Sequence, residues 1–481
     1  MHNEMNCDAL GRRAFLQSSG IGIGSMALTV LLNADRQANA AKRGQRFDMS
    51  AKPGHFKPRA KSVIFLMQNG GPSQMDLFDR KPELQRRGGQ RHPVKFISFQ
   101  PGSTPNKLMA SPFKFRRYGD SGREMSVLLP HIGSLADDMC LIRSMYSDNN
   151  NHPQALRCIN TGKIFTGRPT LGAWISYALG TENQNLPAFV ALRDPNGYNS
   201  GGTTLWTNGW LPALYRGTEI RSEGAPVLNL LSSVKVPTEA RENQLDLIAR
   251  LNERHRRRFS DNLELESRIR NYELAARMQL HARQTLDTDR ETDATRRMYG
   301  LDNGETKNYG TRLLMARRLI ESGVRFVQVT SPVKGGSMPW DNHSNIPTGL
   351  PSICKQVDKP TAGLIQDLKQ RGLLNDTIVI WSGEFGRLPI SQHAVGRDHN
   401  QFAFSLMVFG GGFKPGIDYG ATDEFGYRSV QKRVSCPDFL ATILHQLGLD
   451  HDELSYRHNG RDETLTDSAV TNASVVHDVL A

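Results

Sequence analysis

Thr377-Ile378-Val379-Ile380-Trp381-Ser382-Gly383-Glu384-Phe385-Gly386-Arg387, with Gly396-Arg397-Asp398-His399-Asn400 shortly after it, decides the fold of this chain. A β-branched run that stops at glycine and then presents an acid reads as a buried strand carrying Glu384 to its carboxyl end. Open α/β sheets place their ligands there.

A second run of the same kind, Ser62-Val63-Ile64-Phe65-Leu66-Met67-Gln68, opens into Asn69-Gly70-Gly71-Pro72-Ser73, with Asp76 and Asp79 close behind. Continuous apolar character without alternation marks a central parallel strand covered on both faces. Further strands are expected at Cys140–Arg143, Ala188–Leu192, Arg325–Val329 and Phe404–Phe409. Helical patterns at Leu171–Leu179, Thr311–Ser322 and Ala362–Arg371 separate them. Strand and helix in alternation predict an α/β fold with a mostly parallel central sheet. Between Thr238 and Tyr299 the texture turns Arg/Glu/Gln/Leu-rich, which predicts two long amphipathic helices inserted over about 238–300. The basic cluster Arg254–Arg258 falls on the solvated face of this insertion, and no nucleic-acid partner is expected from it.

The amino terminus predicts where the protein works. Gly11-Arg12-Arg13-Ala14-Phe15-Leu16 precedes a modest apolar run from Ile21 to Leu32, and Ala38-Asn39-Ala40 supplies the small residues of a cleavage site. The segment 1–40 reads as a twin-arginine signal peptide, 41–60 as a basic linker and 61–481 as the folded domain. The expected location is periplasmic or otherwise exported, and the precursor's partner is the twin-arginine export machinery. No permanent membrane span is expected. Cys140, Cys158, Cys354 and Cys436 are scattered without CxxC spacing, which excludes a zinc ribbon and a disulfide scaffold. A formal charge of +12 favours anionic substrates or surfaces.

Four polar groups follow expected strands: Asn69 with Asp76, Asn149-Asn150-Asn151-His152, Trp340-Asp341-Asn342-His343, and Glu384 with Asp398 and His399. A parallel sheet would bring them to one rim. Carboxylates mixed with imidazoles suit zinc, manganese or iron better than calcium, which prefers oxygen alone. Taken singly, Asp341 and His343 also fit an ordinary Asx-turn loop with a surface imidazole.

These motifs, together with Arg12–Leu16, Phe65–Asp79, Gly172-Ala173-Trp174 and Tyr419-Gly420-Ala421-Thr422-Asp423-Glu424, resemble an exported bacterial family known as domain of unknown function 1501. That family is placed in the alkaline phosphatase/sulfatase superfamily, whose members hydrolyse phosphate or sulfate esters at a metal site. The resemblance implies an alkaline-phosphatase-like three-layer α/β/α domain with a divalent metal, zinc or manganese. It implies metal ligation by Asp341, His343 and His399, with Glu384 and Asp76 as a second set. Gly383-Glu384-Phe385-Gly386 stands where sulfatases carry Ser-Asp-His-Gly, so Phe385 replaces an imidazole. The superfamily nucleophile begins a helix ending in Thr-Gly; counting back from Thr161-Gly162 puts His152 in that place, and Cys-x-Pro-x-Arg is absent. His152 is the catalytic candidate, open as a metal ligand, a general base or a helix cap. Arg387 and Arg397 are expected to orient the anion through forked hydrogen bonds.

The function these readings lead to is metal-dependent hydrolysis of sulfate or phosphate esters, on a small anionic molecule or a polysaccharide. The alternative is a catalytically degenerate relative that binds anionic envelope glycans. A redox enzyme is less consistent, because no GxGxxG follows a strand and no cysteines cluster.

Overall fold

The computed structural model describes residues 49–92, 103–223, 237–258, 263–333 and 338–481. The export signal expected over 1–40 lies outside them, as does the first part of the linker, 41–48.

Nine strands form the central sheet: β1 (Ser62–Met67), β2 (Met139–Tyr146), β3 (Phe189–Leu192), β4 (Thr218–Ile220), β5 (Phe326–Thr330), β6 (Thr377–Ser382), β7 (Phe404–Phe409), β8 (Ile417–Tyr419) and β9 (Val434–Ser435). Their order is β8-β2-β7-β6-β1-β5-β3-β4, with β9 also on β2. β1 lies parallel between β5 and β6, and only β7 runs against its neighbours.

Alternation along the strands divides the interior in two. Ile64, Leu66, Val327, Val329, Val379 and Trp381 enter one core, whereas Val63, Phe65, Phe326, Ile378 and Ile380 enter the other. Helices α5 (Lys307–Glu321) and α6 (Ile346–Gln370) cover the first through Leu313, Ile353, Val357 and Leu364. Helices α1 (His152–Thr161), α2 (Leu171–Leu179) and α7 (Cys436–Gln446) cover the second through Leu156, Trp174 and Phe439. The molecule is therefore a three-layer α/β/α structure, and two covered faces explain why its strands read as unbroken apolar runs.

The helix expected from Ala362 begins at Ile346 and continues through Pro351 and Pro360. Its buried stripe of Ile346, Leu350, Ile353, Val357, Leu364 and Leu368 outweighs the hydrogen bonds the two prolines remove. In the segment rich in Arg and Glu, α3 (Thr238–Arg258) and α4 (Leu263–Leu286) are helical, and Met278 and Leu286 anchor α4 on the first core. Cys140, Cys158, Cys354 and Cys436 are buried and unpaired. Among the described residues no helix is long and apolar enough to cross a membrane.

Registry and strand direction together build one rim. Met67 pairs with both Thr330 and Ser382, so the loops leaving β1, β5 and β6 emerge side by side. β2 is parallel to β6, which brings its following loop and the start of α1 to the same rim. β7 is antiparallel, so the segment entering it, with His399, arrives there as well.

Candidate metal centre

Three candidate ligand atoms from two loops meet at this rim. His343 Nε2 lies 3.0 Å from His399 Nε2 and 2.9 Å from Asp341 Oδ1, and His399 Nε2 is 3.1 Å from the same oxygen. His152 Nε2 stands 3.3 Å from Asp341 Oδ2 but off the line of a hydrogen bond, and it is buried without another partner among the described residues. Ligand atoms of His152, Asp341 and His399 all fall within 4.8 Å of one another.

The opposite nitrogen of each ring fixes its tautomer. His152 Nδ1 is 2.6 Å from Glu384 Oε1, His399 Nδ1 is 2.6 Å from the Asn150 carbonyl, and His343 Nδ1 is 2.6 Å from Gln392 Oε1. Oxygen acceptors require each neutral ring to carry its proton on Nδ1. Three Nε2 lone pairs then face one carboxylate. Such an arrangement repels itself unless a proton or a cation sits among the atoms, and imidazoles whose far nitrogen donates to oxygen are typical of metal ligands.

Charge agrees with this reading. Burial resists ionisation of Asp341, but Arg387 and the three imidazoles overcome it and hold the carboxyl far below its usual range. Burial, with the positive charges of Arg387 and His152, lowers His399 to about 4, leaving it neutral at physiological pH. Burial also works against protonating His152, yet Asp341 and Glu384 prevail and raise its pKa.

Glu384 stands behind His152 instead of facing the cluster. It is fully buried. Its oxygens accept from the Gly70 N–H at 2.9 and 3.2 Å and from the Gly71 N–H at 3.3 Å, besides His152. Gly70 and Gly71 adopt φ of +115° and +68°, the left-handed region that turns two consecutive N–H groups toward one anion. A Cβ on Gly71 would stand 2.6 Å from the Phe385 ring. That ring packs against His152 and His399, with centroids at 4.8 and 4.5 Å, and forms an apolar wall behind them.

Asp76, expected as a ligand, and Arg397, expected on the substrate, are committed to each other. Arg397 Nε donates to Asp76 Oδ2 at 2.8 Å and its NH2 to Oδ1 at 3.2 Å, both side chains being fully buried. Ser73 Oγ completes the cage at 2.6 Å from Asp76. Arg387 likewise has no face toward solvent. Its donors reach the carbonyls of Gly70, Gly71, Trp340 and Arg397, and NH2 donates to Asp341 Oδ1 at 2.6 Å. It clamps the Asp341 carboxylate, because a buried guanidinium must spend its donors on the nearest oxygens. Asn69, two residues beyond the end of β1, has its amide buried with no partner among the described residues. Gln392 and the Asn150 carbonyl went unnoticed in the sequence, since a single amide after a strand and a backbone oxygen leave no pattern.

The profile of the family described as "Protein of unknown function (DUF1501)" matches residues 60–480. The chain belongs to this family. No curated protein matches it. Among solved structures, the lipoteichoic acid synthase LtaP from Listeria monocytogenes is 10% identical, with a TM-score of 0.37 over 88% of this chain and 79% of that one. The PsFucS1 sulfatase from Pseudoalteromonas sp. is 14% identical, with a TM-score of 0.33 over 91% and 75%. The phosphonate monoester hydrolase SpPMH from Silicibacter pomeroyi is 12% identical, with a TM-score of 0.32 over 73% and 71%. Overlaps this loose bear on neither the chemistry nor the substrate of this chain.

Proposed function

We propose that this protein is an exported, metal-dependent hydrolase of sulfate or phosphate esters, acting on a small anionic molecule or a polysaccharide. The observation that carries the proposal is the convergence of three Nε2 atoms on the Asp341 carboxylate, each ring fixed by an oxygen at Nδ1. The donor set fits a divalent cation: Asp341, His343 and His399 would hold it, and nitrogen with carboxylate oxygen suits zinc or manganese. When bound, such an ion supplies Lewis acidity toward an ester oxygen and toward water.

The chain's own groups account for the rest. Arg387 keeps Asp341 ionised and oriented. Glu384, held by the Gly70 and Gly71 N–H groups, keeps the His152 proton on Nδ1. His152 Nε2 is then the position that takes a proton from the attacking water and returns one to the leaving group, with no serine or cysteine nucleophile required. Phe385 keeps bulk water from the backs of His152 and His399. The net positive charge supports an anionic substrate, and Arg12-Arg13 with Ala38-Asn39-Ala40 supports export of the precursor by the twin-arginine route.

Metal quantification on the purified mature protein tests this, followed by a panel of phosphomonoesters, phosphodiesters and sulfate esters. Alanine at Asp341, His343 or His399 should each lower bound metal. Unchanged metal content in all three defeats the assignment. Bound metal with no turnover of any ester class favours the glycan binder instead.

A further inference from the structure

A cavity of about 160 Å³ opens at the opposite rim of the sheet, between α4 and the amino ends of β3 and β4. Phe189 and Thr218, the first residues of those strands, line it. β3 lies parallel to β5, so four or five residues of strand, roughly 15 Å, separate this cavity from the rim that carries His343 and His399. Arg216, Arg270 and Arg277 all contribute to its wall, with Ser176, Thr181 and Gln184 beside them.

The charges there do not balance. Arg270 has one carboxylate neighbour, Glu273, at 3.3 Å. Arg277 donates Nε to the Gln184 carbonyl at 2.7 Å, and burial lowers its pKa against the opposing pull of Glu273, with no ion pair of its own among the described residues. The side chain of Arg216 makes no hydrogen bond or ion pair among the described residues and is exposed. Arg270 and Arg277 are seven residues apart on α4, which places them on one face two turns apart. Among the described residues three guanidiniums stand against one carboxylate around this concavity, and together they form a receptor for an oxyanion. The volume is far above the roughly 10–15 Å³ one water needs and below the roughly 300 Å³ at which drug-sized pockets begin. It therefore suits one charged group, not a whole saccharide.

We propose that this cavity binds a sulfate or phosphate group through Arg216, Arg270 and Arg277, as a second anion site independent of the metal centre. The group is either a free inorganic anion or a substituent on a longer saccharide whose remainder stays in solvent.

Calorimetric titration of the full mature chain at low salt, with inorganic sulfate, inorganic phosphate and a monosulfated disaccharide, tests the proposal. At least one probe should bind saturably, and Arg216→Ala and Arg270→Ala should each weaken it about tenfold. Circular dichroism checks that both variants remain folded. Disaccharide binding at least tenfold tighter than the ions identifies a pendant group, and equal affinities identify the free anion. The double variant Asp341→Ala/His343→Ala should bind the same probe unchanged. The proposal is overturned if no probe binds saturably, if both arginine variants bind normally, or if binding disappears in the Asp341/His343 variant. Loss of binding only at the arginines, or its absence altogether, leaves the metal centre unaffected.

Discussion

Glu384→Gln separates an orienting carboxylate from a spectator. Oε1 accepts from His152 Nδ1 and Gly70 N–H, while Oε2 faces the Gly70 and Gly71 N–H groups. Glutamine keeps one oxygen. If that oxygen faces His152, the new NH2 points at two backbone donors, and a buried N–H is left without an acceptor. If it faces the glycines, the NH2 points at His152 Nδ1, which must give up its proton and move it to Nε2, toward Asp341. Either arrangement strands one buried polar group at about 1–3 kcal/mol, and the surviving bonds lose charge assistance worth about 1 kcal/mol. A destabilisation of about 2–4 kcal/mol is expected in urea unfolding of the metal-free protein. Metal affinity should fall about 10–100-fold, the usual cost of losing the group that orients a ligating or neighbouring histidine. Nitrogen NMR of the His152 ring reports the tautomer directly. A folded variant with the parental urea midpoint, metal affinity and ring tautomer would refute the role given to Glu384.

Three further outcomes are expected. Arg397→Met leaves the Asp76 carboxylate buried with only Ser73 for company and should cost about 3–5 kcal/mol, whereas adding Asp76→Leu should restore most of it. A double variant as unstable as the single one in urea melts would remove the pair from the account. The pH dependence of stability should reverse on metal binding. His152 has a folded pKa above its ordinary 6.5, so in metal-free protein its stabilisation is full below that value and fades as pH rises through the raised one. Asp341, held low, contributes above its ordinary 3.8 and loses that only in strong acid. A divalent ion demands deprotonated ligands, so its stabilisation grows with pH. Thermal melts between pH 5.5 and 8.5, with zinc and with chelator, should diverge as pH rises, and parallel curves would contradict the site. Finally, replacing Arg12 and Arg13 by lysine should leave an unprocessed cytoplasmic precursor on immunoblots of fractionated cells; normal processing near Ala40 would defeat the export proposal.

The parts of this molecule that were legible in the sequence are those whose cause is local. Thr377–Ser382 and Ser62–Met67 announce themselves because burial on both faces demands apolar residues without interruption. Asp341, His343 and His399 are conspicuous as ligand types in loops after or before such strands, and the structure sets them within 3.1 Å of one another. The partners that decide roles are remote. Glu384 meets Gly70 across 314 positions and Arg397 meets Asp76 across 321, so spacing could not show that one acid orients an imidazole and the other neutralises a guanidinium. β4, β8 and β9, of two or three residues each, are too short to show any period. α6 runs through two prolines because its packing, which the sequence does not display, exceeds their local cost.

The position of β1 at the centre of the sheet has a kinetic consequence. Its neighbours are contributed by residues from Phe326 and Thr377 onward. A ribosome adding about 5–20 residues per second needs roughly 13–50 s after β1 to deliver even the first of them. Throughout that interval Val63–Met67 is an apolar segment with both edges open, the kind of surface that recruits chaperones or other nascent chains. Assembly of the sheet is therefore deferred until synthesis is nearly complete, and fragments ending before residue 326 should give aggregates in place of a smaller folded unit.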